Sequence, residues 1–252
     1  MKILSIGDRV RPGVYVVRTR FARSVLLFAD DGRALFVVNP AIGPGPLNLV
    51  VRDPGAFVAG AALEIPRGRG APRFASALPR LGAAERAKLR RVLDAALPRH
   101  APPDSLVSLF APVFPLPRLQ AARDARFRQA FALAAAGNRA GAARLIRGCG
   151  AGLTPAGDDF LGGWMLAARL RGQPAAARTL LGVARGGNPV SNAFLELAAQ
   201  GRVNAAVQRL LQAPSAARVQ AVCAFGHSSG ADLLCGMRWG LGNEGGGRPE
   251  SP

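Results

Sequence analysis

Lysine is almost missing from this chain: Lys2 and Lys88 are the only two among 33 basic residues. Arginine supplies the rest, and the formal charge reaches +18. Such a charge invites a nucleic-acid reading. The arginines, however, are scattered through every segment, and no strip of interleaved aromatic and basic residues offers a stacking platform. The charge is therefore read as a solvated basic surface that steers small anions, and no nucleic-acid partner is expected. Long apolar runs are also lacking. None approaches the roughly 20 residues of a membrane span, so no membrane partner is expected. The opening Met1–Asp8 stretch carries too short an apolar run for a signal peptide. Cysteine is scarce and odd in number (Cys149, Cys223 and Cys235), without a Cys-x-x-Cys pair. Reduced packing thiols in a cytoplasmic protein fit that usage better than disulfides or a metal site.

The chain is long enough for one large domain or two small ones. Residues 1 to about 66 read as β structure. Val14–Thr19, Ser24–Ala29, Ala34–Val38, Leu47–Val51 and Ala62–Ile65 are rich in β-branched and aromatic residues, and Asp30-Asp31-Gly32-Arg33 carries a hairpin signal. Past Leu81 the period becomes helical, with segments at 83–97, 123–135, 140–147, 155–170, 175–183, 191–199, 203–211 and 215–225, and a last one from near Ser229. The stretch 98–117 is proline-rich and reads as a connector. The expectation is an α+β chain: a small antiparallel barrel or sandwich over 1–80, an all-helical domain over 81–242, and a disordered tail over 243–252.

One stretch organises the rest: Gly148-Cys-Gly-Ala-Gly-Leu-Thr-Pro-Ala-Gly-Asp-Asp-Phe-Leu-Gly-Gly163. Alternating glycines suit a loop with positive φ that lies close to a ligand. Thr154 reads as an N-cap and Pro155 as the first helical residue. No lysine follows and no strand precedes, which excludes a phosphate-binding Walker loop and a dinucleotide fingerprint. The pattern Gly-x-Asp-[Phe/Leu]-Leu-x-Gly recurs at the other end of the chain. Gly157, Asp159 and Gly163 in the first copy correspond to Gly230, Asp232 and Gly236 in the second. The later glycine of each copy permits close helix crossing, so the two helices are expected to pack as a pair with their N-termini side by side.

Two such ends pool N–H donors and positive dipole ends, a ready anion site. Gly152, Thr154, Gly157, Gly226, Ser228, Ser229 and Asp232 are the candidate binding residues. Asp158 and Asp159 are a pair where one acid would have served the dipole. Asp158, Asp159 and Asp232 would repel an anion unless a divalent ion such as Mg²⁺ bridges them to it, or unless an acid pairs with an amide NH₂. The plainer readings stand beside these. Ser229 and Asp232 also fit a capping box, and His227 also fits a structural role before a helix start. Ser191 and Asn192, after Asn188-Pro189, either face the same cleft or merely open a capped helix. No Gly-x-Ser-x-Gly elbow supports a serine nucleophile.

At these motifs (Gly152–Gly163, Val190–Leu195 and Gly226–Leu234) the chain resembles a bacterial family long known only as a domain of unknown function. That family includes a subunit of the multi-component oxamate carbamoyltransferase of anaerobic allantoin degradation. The resemblance covers the C-terminal half. It implies exchange of carbamoyl phosphate and oxamate with oxalurate and phosphate, in a complex that needs companion subunits. Thr154, Asp158, Asp159, His227, Ser228 and Asp232 match its motifs, with His227, Asp159 and Asp158 as catalytic candidates and His227 as a proton shuttle. The alternative is a non-catalytic ligand-binding or scaffold subunit whose chemistry lies on a partner.

Overall fold

The computed structural model describes residues 2–66, 71–111 and 115–242; the expected tail at 243–252 lies outside them. The chain divides into two compact units, one of residues 1–78 with 202–208, the other of residues 79–201 with 209–252.

The first unit is built on a seven-stranded sheet: β1 (Ile3–Gly7), β2 (Gly13–Arg20), β3 (Ser24–Phe28), β4 (Ala34–Val38), β5 (Asn48–Val51), β6 (Ala62–Ile65) and β7 (Arg73–Phe74). Their order is β6-β2-β3-β4-β5-β1-β7. The Asp-Gly signal marks a real hairpin: β3 and β4 pair antiparallel from Ser24↔Val38 to Phe28↔Ala34, and Gly32 takes φ 81° in the turn. The sheet differs from the antiparallel expectation in two places, since β4 pairs parallel with β5 and β1 parallel with β7. Parallel neighbours need a crossing connection. The Pro40–Pro46 loop supplies the first, fastened where Asn48 Nδ2 donates to Gly43 O at 2.9 Å. Alternate residues of the central strands (Val25 and Leu27, Leu35 and Val37, Leu49 and Val51) share one core with Tyr15, Val17 and Ile65, the period of two that a strand imposes.

The segment 202–208 is fastened to this sheet by polar bonds. Asp8 Oδ2 accepts from Arg202 Nη1 at 3.0 Å and from Ser76 N at 3.1 Å, while its Oδ1 accepts from Ser76 Oγ at 2.5 Å.

The second unit is helical: α1 (Ala83–His100), α2 (Arg118–Ala135), α3 (Arg139–Ile146), α4 (Ala156–Leu170), α5 (Pro174–Ala184), α6 (Pro189–Ala199), α7 (Ala205–Gln212, whose first residues belong to the sheet unit), α8 (Ala216–Cys223) and α9 (Ser229–Gly242). Within the proline-rich connector lies a short 3₁₀ turn, Leu106–Leu109, capped by the Ser105 hydroxyl. Asn138 caps α3, accepting from Gly141 N at 2.8 Å. Among the described residues no helix is long and apolar enough to cross a membrane.

Helix α4 is the centre of this unit. Phe160, Leu161, Met165 and Ala167 are wholly buried, and its other face is nearly so; a helix apolar all round belongs in a core. Phe127 of α2 and Phe160 of α4 meet edge to face at 5.3 Å. Helix α9 runs beside α4 in the same direction, because Thr154 meets Ser229, Phe160 meets Gly236 and Ala167 meets Gly240. The expected crossing through glycine is present. A Cβ on Gly163 would lie 1.9 Å from Leu233 O, and one on Gly236 the same distance from Phe160 O. The motif's earlier glycines act alike, each against the end of the preceding helix: a Cβ on Gly157 would lie 1.8 Å from Ile146 O, and one on Gly230 1.9 Å from Val222 O.

Gly163→Ala must force two backbones apart, so it is expected to destabilise the fold by roughly 1–3 kcal/mol or more. Gly182→Ala, on α5 with nothing within 4 Å of the new methyl, is expected to stabilise it by about 0.5–1 kcal/mol. Urea unfolding of the two variants beside the parent checks both signs.

Candidate functional site

The glycine loop leads into α4 with φ of 65° at Gly148, 115° at Gly150 and 96° at Gly152, a run that only glycine makes cheaply. The helix start differs by one residue from expectation. Pro155 occupies the cap and α4 begins at Ala156. Thr154 does not cap its own helix. Its hydroxyl instead shares a 2.8 Å hydrogen bond with that of Ser229, which places the starts of α4 and α9 side by side as the sequence predicted. The α6 start joins them: Asn188 Oδ1 accepts from Val190 N and Ser191 N, and its Nδ2 donates to Leu153 O at 2.9 Å. Neighbouring Leu153 is exposed.

The adjacent acids of α4 have separate tasks. Asp158, nine-tenths buried, accepts from Gly148 N at 2.7 Å and so closes the glycine loop onto the helix. Asp159 lies against the hydroxyl pair, and its Oδ2 is shut off from solvent without a hydrogen-bond partner. Burial pushes its carboxyl well above the usual range. The Ser229 and Thr154 hydroxyls oppose that rise, and the Asp232 and Asp158 charges add to it.

Asp232, the same position in the second motif, is fully buried. The capping box with Ser229 does not form. Ser228 stands at the cap, its carbonyl accepting from Asp232 N at 2.9 Å, and the carboxylate turns to another element. Its Oδ1 accepts from Leu106 N at 2.7 Å, while Oδ2, like that of Asp159, is buried and unpartnered. Desolvation raises its pKa to about 6 against bonds from Leu106 N and Ser228 that lower it.

His227 sits on the surface, its side chain 85% exposed, with Nε2 2.6 Å from Asp104 Oδ2. Gly226 takes φ 69° in the turn before it. Asn192 does not face the cleft: its amide both accepts from Gly186 N and donates to Gly186 O, at 3.0 and 2.8 Å. The Arg185–Glu196 ion pair lies on either side of that clasp. Ser191 is buried with its hydroxyl unpartnered. Asp158, Asp159 and Asp232 do not assemble as an ion-binding set. Among the described residues no group of three or more His, Cys, Asp or Glu side chains is placed to hold a metal. The three cysteines are unpaired. Burial pushes their thiols up, to about 11 for Cys223, away from the reactive thiolate.

A polar network absent from the sequence reading supports the second motif. Asp124 is fully buried on α2, where its Oδ2 accepts from Ser108 Oγ at 2.6 Å and its Oδ1 pairs with Arg123 Nη2 at 3.0 Å. The same guanidinium donates to Asp104 O at 2.5 Å and Ser105 O at 2.9 Å. The 104–108 turn is thus held by Arg123 from one side and Asp232 from the other. An acid at position 124, inside an apolar period of Phe127 and Ala130, was the available signal.

The raised pKa of Asp232 has a definite sign. The folded state binds a proton that the unfolded chain, titrating near 3.8, has already released. The stability it contributes is therefore full below about pH 4 and lost as pH rises through about 6. The loss is on the order of 3 kcal/mol at 1.36 kcal/mol per unit. Asp232→Asn keeps the acceptor for Leu106 N and is expected to flatten this slope in denaturant titrations across pH 4–7.

No curated protein sequence and no solved structure matches the chain. A family model described as "Oxamate carbamoyltransferase subunit AllH" matches residues 146–241. The matched span runs from the end of α3 to the end of α9 and includes both glycine/acid motifs, the Asn188–Asn192 segment and His227. Over residues 146–241, a span that includes both glycine/acid motifs, the chain is similar to the family of oxamate carbamoyltransferase subunit AllH.

Proposed function

We propose that the chain serves a carbamoyltransferase-like complex as the subunit that binds a small anionic substrate at the α4 and α9 N-termini. The observation that carries this reading is the Thr154–Ser229 hydroxyl pair, which bridges the two helix starts directly against the buried, unpartnered Oδ2 of Asp159. Buried polar atoms in a folded protein ordinarily have partners, and one left without calls for a water, an ion, a ligand or a catalytic role to explain it. Helix N–H groups at the same end favour negative charge. The raised pKa of Asp159 eases the conflict between acids and an anion, because a protonated carboxyl donates a hydrogen bond instead of repelling.

In the transfer that the family carries out, a substrate amide nitrogen attacks the carbamoyl carbonyl. A C–N bond forms, the C–O bond to phosphate breaks, and phosphate leaves with the electron pair. The nitrogen's proton must go to a base. His227 takes it in this reading, with Nε2 held by Asp104 and Nδ1 left for the proton. The hydroxyls of Thr154 and Ser229 orient the substrate, and Asp159 behind them orients the hydroxyls. Companion subunits complete the site. No step is assigned to Mg²⁺, since Asp158 is committed to Gly148 and, among the described residues, the three carboxylates are not placed to hold an ion together.

A second reading has its own support. His227 is exposed to solvent, as expected if this chain presents a ligand to a partner that performs the chemistry. Turnover by the reconstituted complex separates the two. His227→Ala and Asp159→Asn are each expected to lower kcat/KM roughly 10²-fold or more with assembly intact by gel filtration. Retained turnover in both would overturn the catalytic role and leave the ligand-presenting one.

A further inference from the structure

Among the described residues, the hydrogen bonds at the α4/α9 end come from hydroxyls and backbone N–H groups. Thr154 and Ser229 bond to each other, Asp158 to Gly148 N, and Asp232 to Leu106 N. None of these bonds comes from a lysine or an arginine. The largest influences on Asp159 are burial, two hydroxyls and two further carboxyls. The guanidinium that acts on Asp232, that of Arg123, is spent on Asp124, the Asp104 and Ser105 carbonyls and Ser108 Oγ. What the site has in excess is acceptor capacity: the Oδ2 atoms of Asp159 and Asp232 are both buried and both unpartnered.

A phosphate dianion is ordinarily met by arginine forks or a lysine. Here it would face acceptors and like charge. A ligand that is both donor and singly charged anion suits the groups present. Its NH₂ hydrogens meet carboxyl oxygens, and its carboxylate meets hydroxyls and helix N–H groups.

We infer that this site takes the amide-bearing monoanion of the transfer, a 2-oxo-carboxamide of the oxamate type, and that the phosphorylated substrate is held by a companion chain. The inference rests on the proposed binding site and adds which half of the reaction it serves. The ligand parts the Thr154–Ser229 hydroxyl pair and brings its amide NH₂ to Asp159 Oδ2. The carboxyl thereby gains the partner it lacks.

The test is titration calorimetry of the full chain with two probes, oxamate and inorganic phosphate, on the parent, Asp159→Asn and Ser229→Ala. Circular dichroism confirms that each variant is folded. Oxamate is expected to bind at least ~10-fold more tightly than phosphate. Asp159→Asn, which sets an amide NH₂ against the ligand's own NH₂, is expected to weaken oxamate ~10- to 100-fold, the range for a buried donor left unpaired. Phosphate binding as tightly as oxamate, and weakened by Ser229→Ala, would overturn the division of substrates and leave the site standing. Oxamate binding untouched by either variant would overturn the role of Asp159 and the inference with it. Failure of both probes, on the chain and on its complex with companion subunits, would overturn the site itself.

Discussion

The backbone contact between α4 and α9 fixes the rest of the helical unit. At Gly163 and Gly236 there is no room for even a methyl group, since each position meets a carbonyl of the other helix. Two helices this close have few ways to slide, because a shift of one turn would set Cβ atoms where glycines now lie. The register therefore passes from the crossing to the helix starts, and the Thr154 and Ser229 hydroxyls meet at bonding distance as a result. The crossing is a packing device, and its product is a polar cluster about two turns away.

That product carries an electrostatic cost. Parallel neighbours place like dipole ends together, which is less favourable than the antiparallel arrangement of most bundles. At the far end the chain responds with a guanidinium: Arg171, at the C-cap of α4, donates to Gly240 O at 2.7 Å. At the near end it places acids, and burial then drives Asp159 and Asp232 towards their neutral forms. The carboxyls are thus less able to quench the dipoles than their number suggests. The positive potential of the helix starts is left available to a ligand.

Much of this was legible, for reasons that differ by element. The Asp30–Arg33 turn was readable because local backbone chemistry decides it within a few residues. The α4/α9 pairing was readable because the chain states it twice, in motifs that agree at Gly157/Gly230, Asp159/Asp232 and Gly163/Gly236. What could not be read was non-local. The parallel pairing of β4 with β5 and of β1 with β7 depends on partners that no local pattern names. Thr154 looked like a cap because its own helix offers one, yet a hydroxyl from the other motif competed for it. Asp158 and Asp159 are adjacent in sequence but face different tasks, one closing a loop and the other backing the hydroxyls. Asp104, Ser105, Ser108, Arg123 and Asp124 are ordinary residues individually and form a network only in three dimensions.

The bond from Arg202 to Asp8 bears on the order in which the chain can finish folding. Asp8 leaves the ribosome well before its partner, which follows 194 positions later, after residues 79–201 of the helical unit have been made. Through that interval the carboxylate can hold Ser76 but not the guanidinium. The sheet unit is therefore completed only after that stretch of the helical unit, and a nascent chain halted before residue 202 carries it without this fastening.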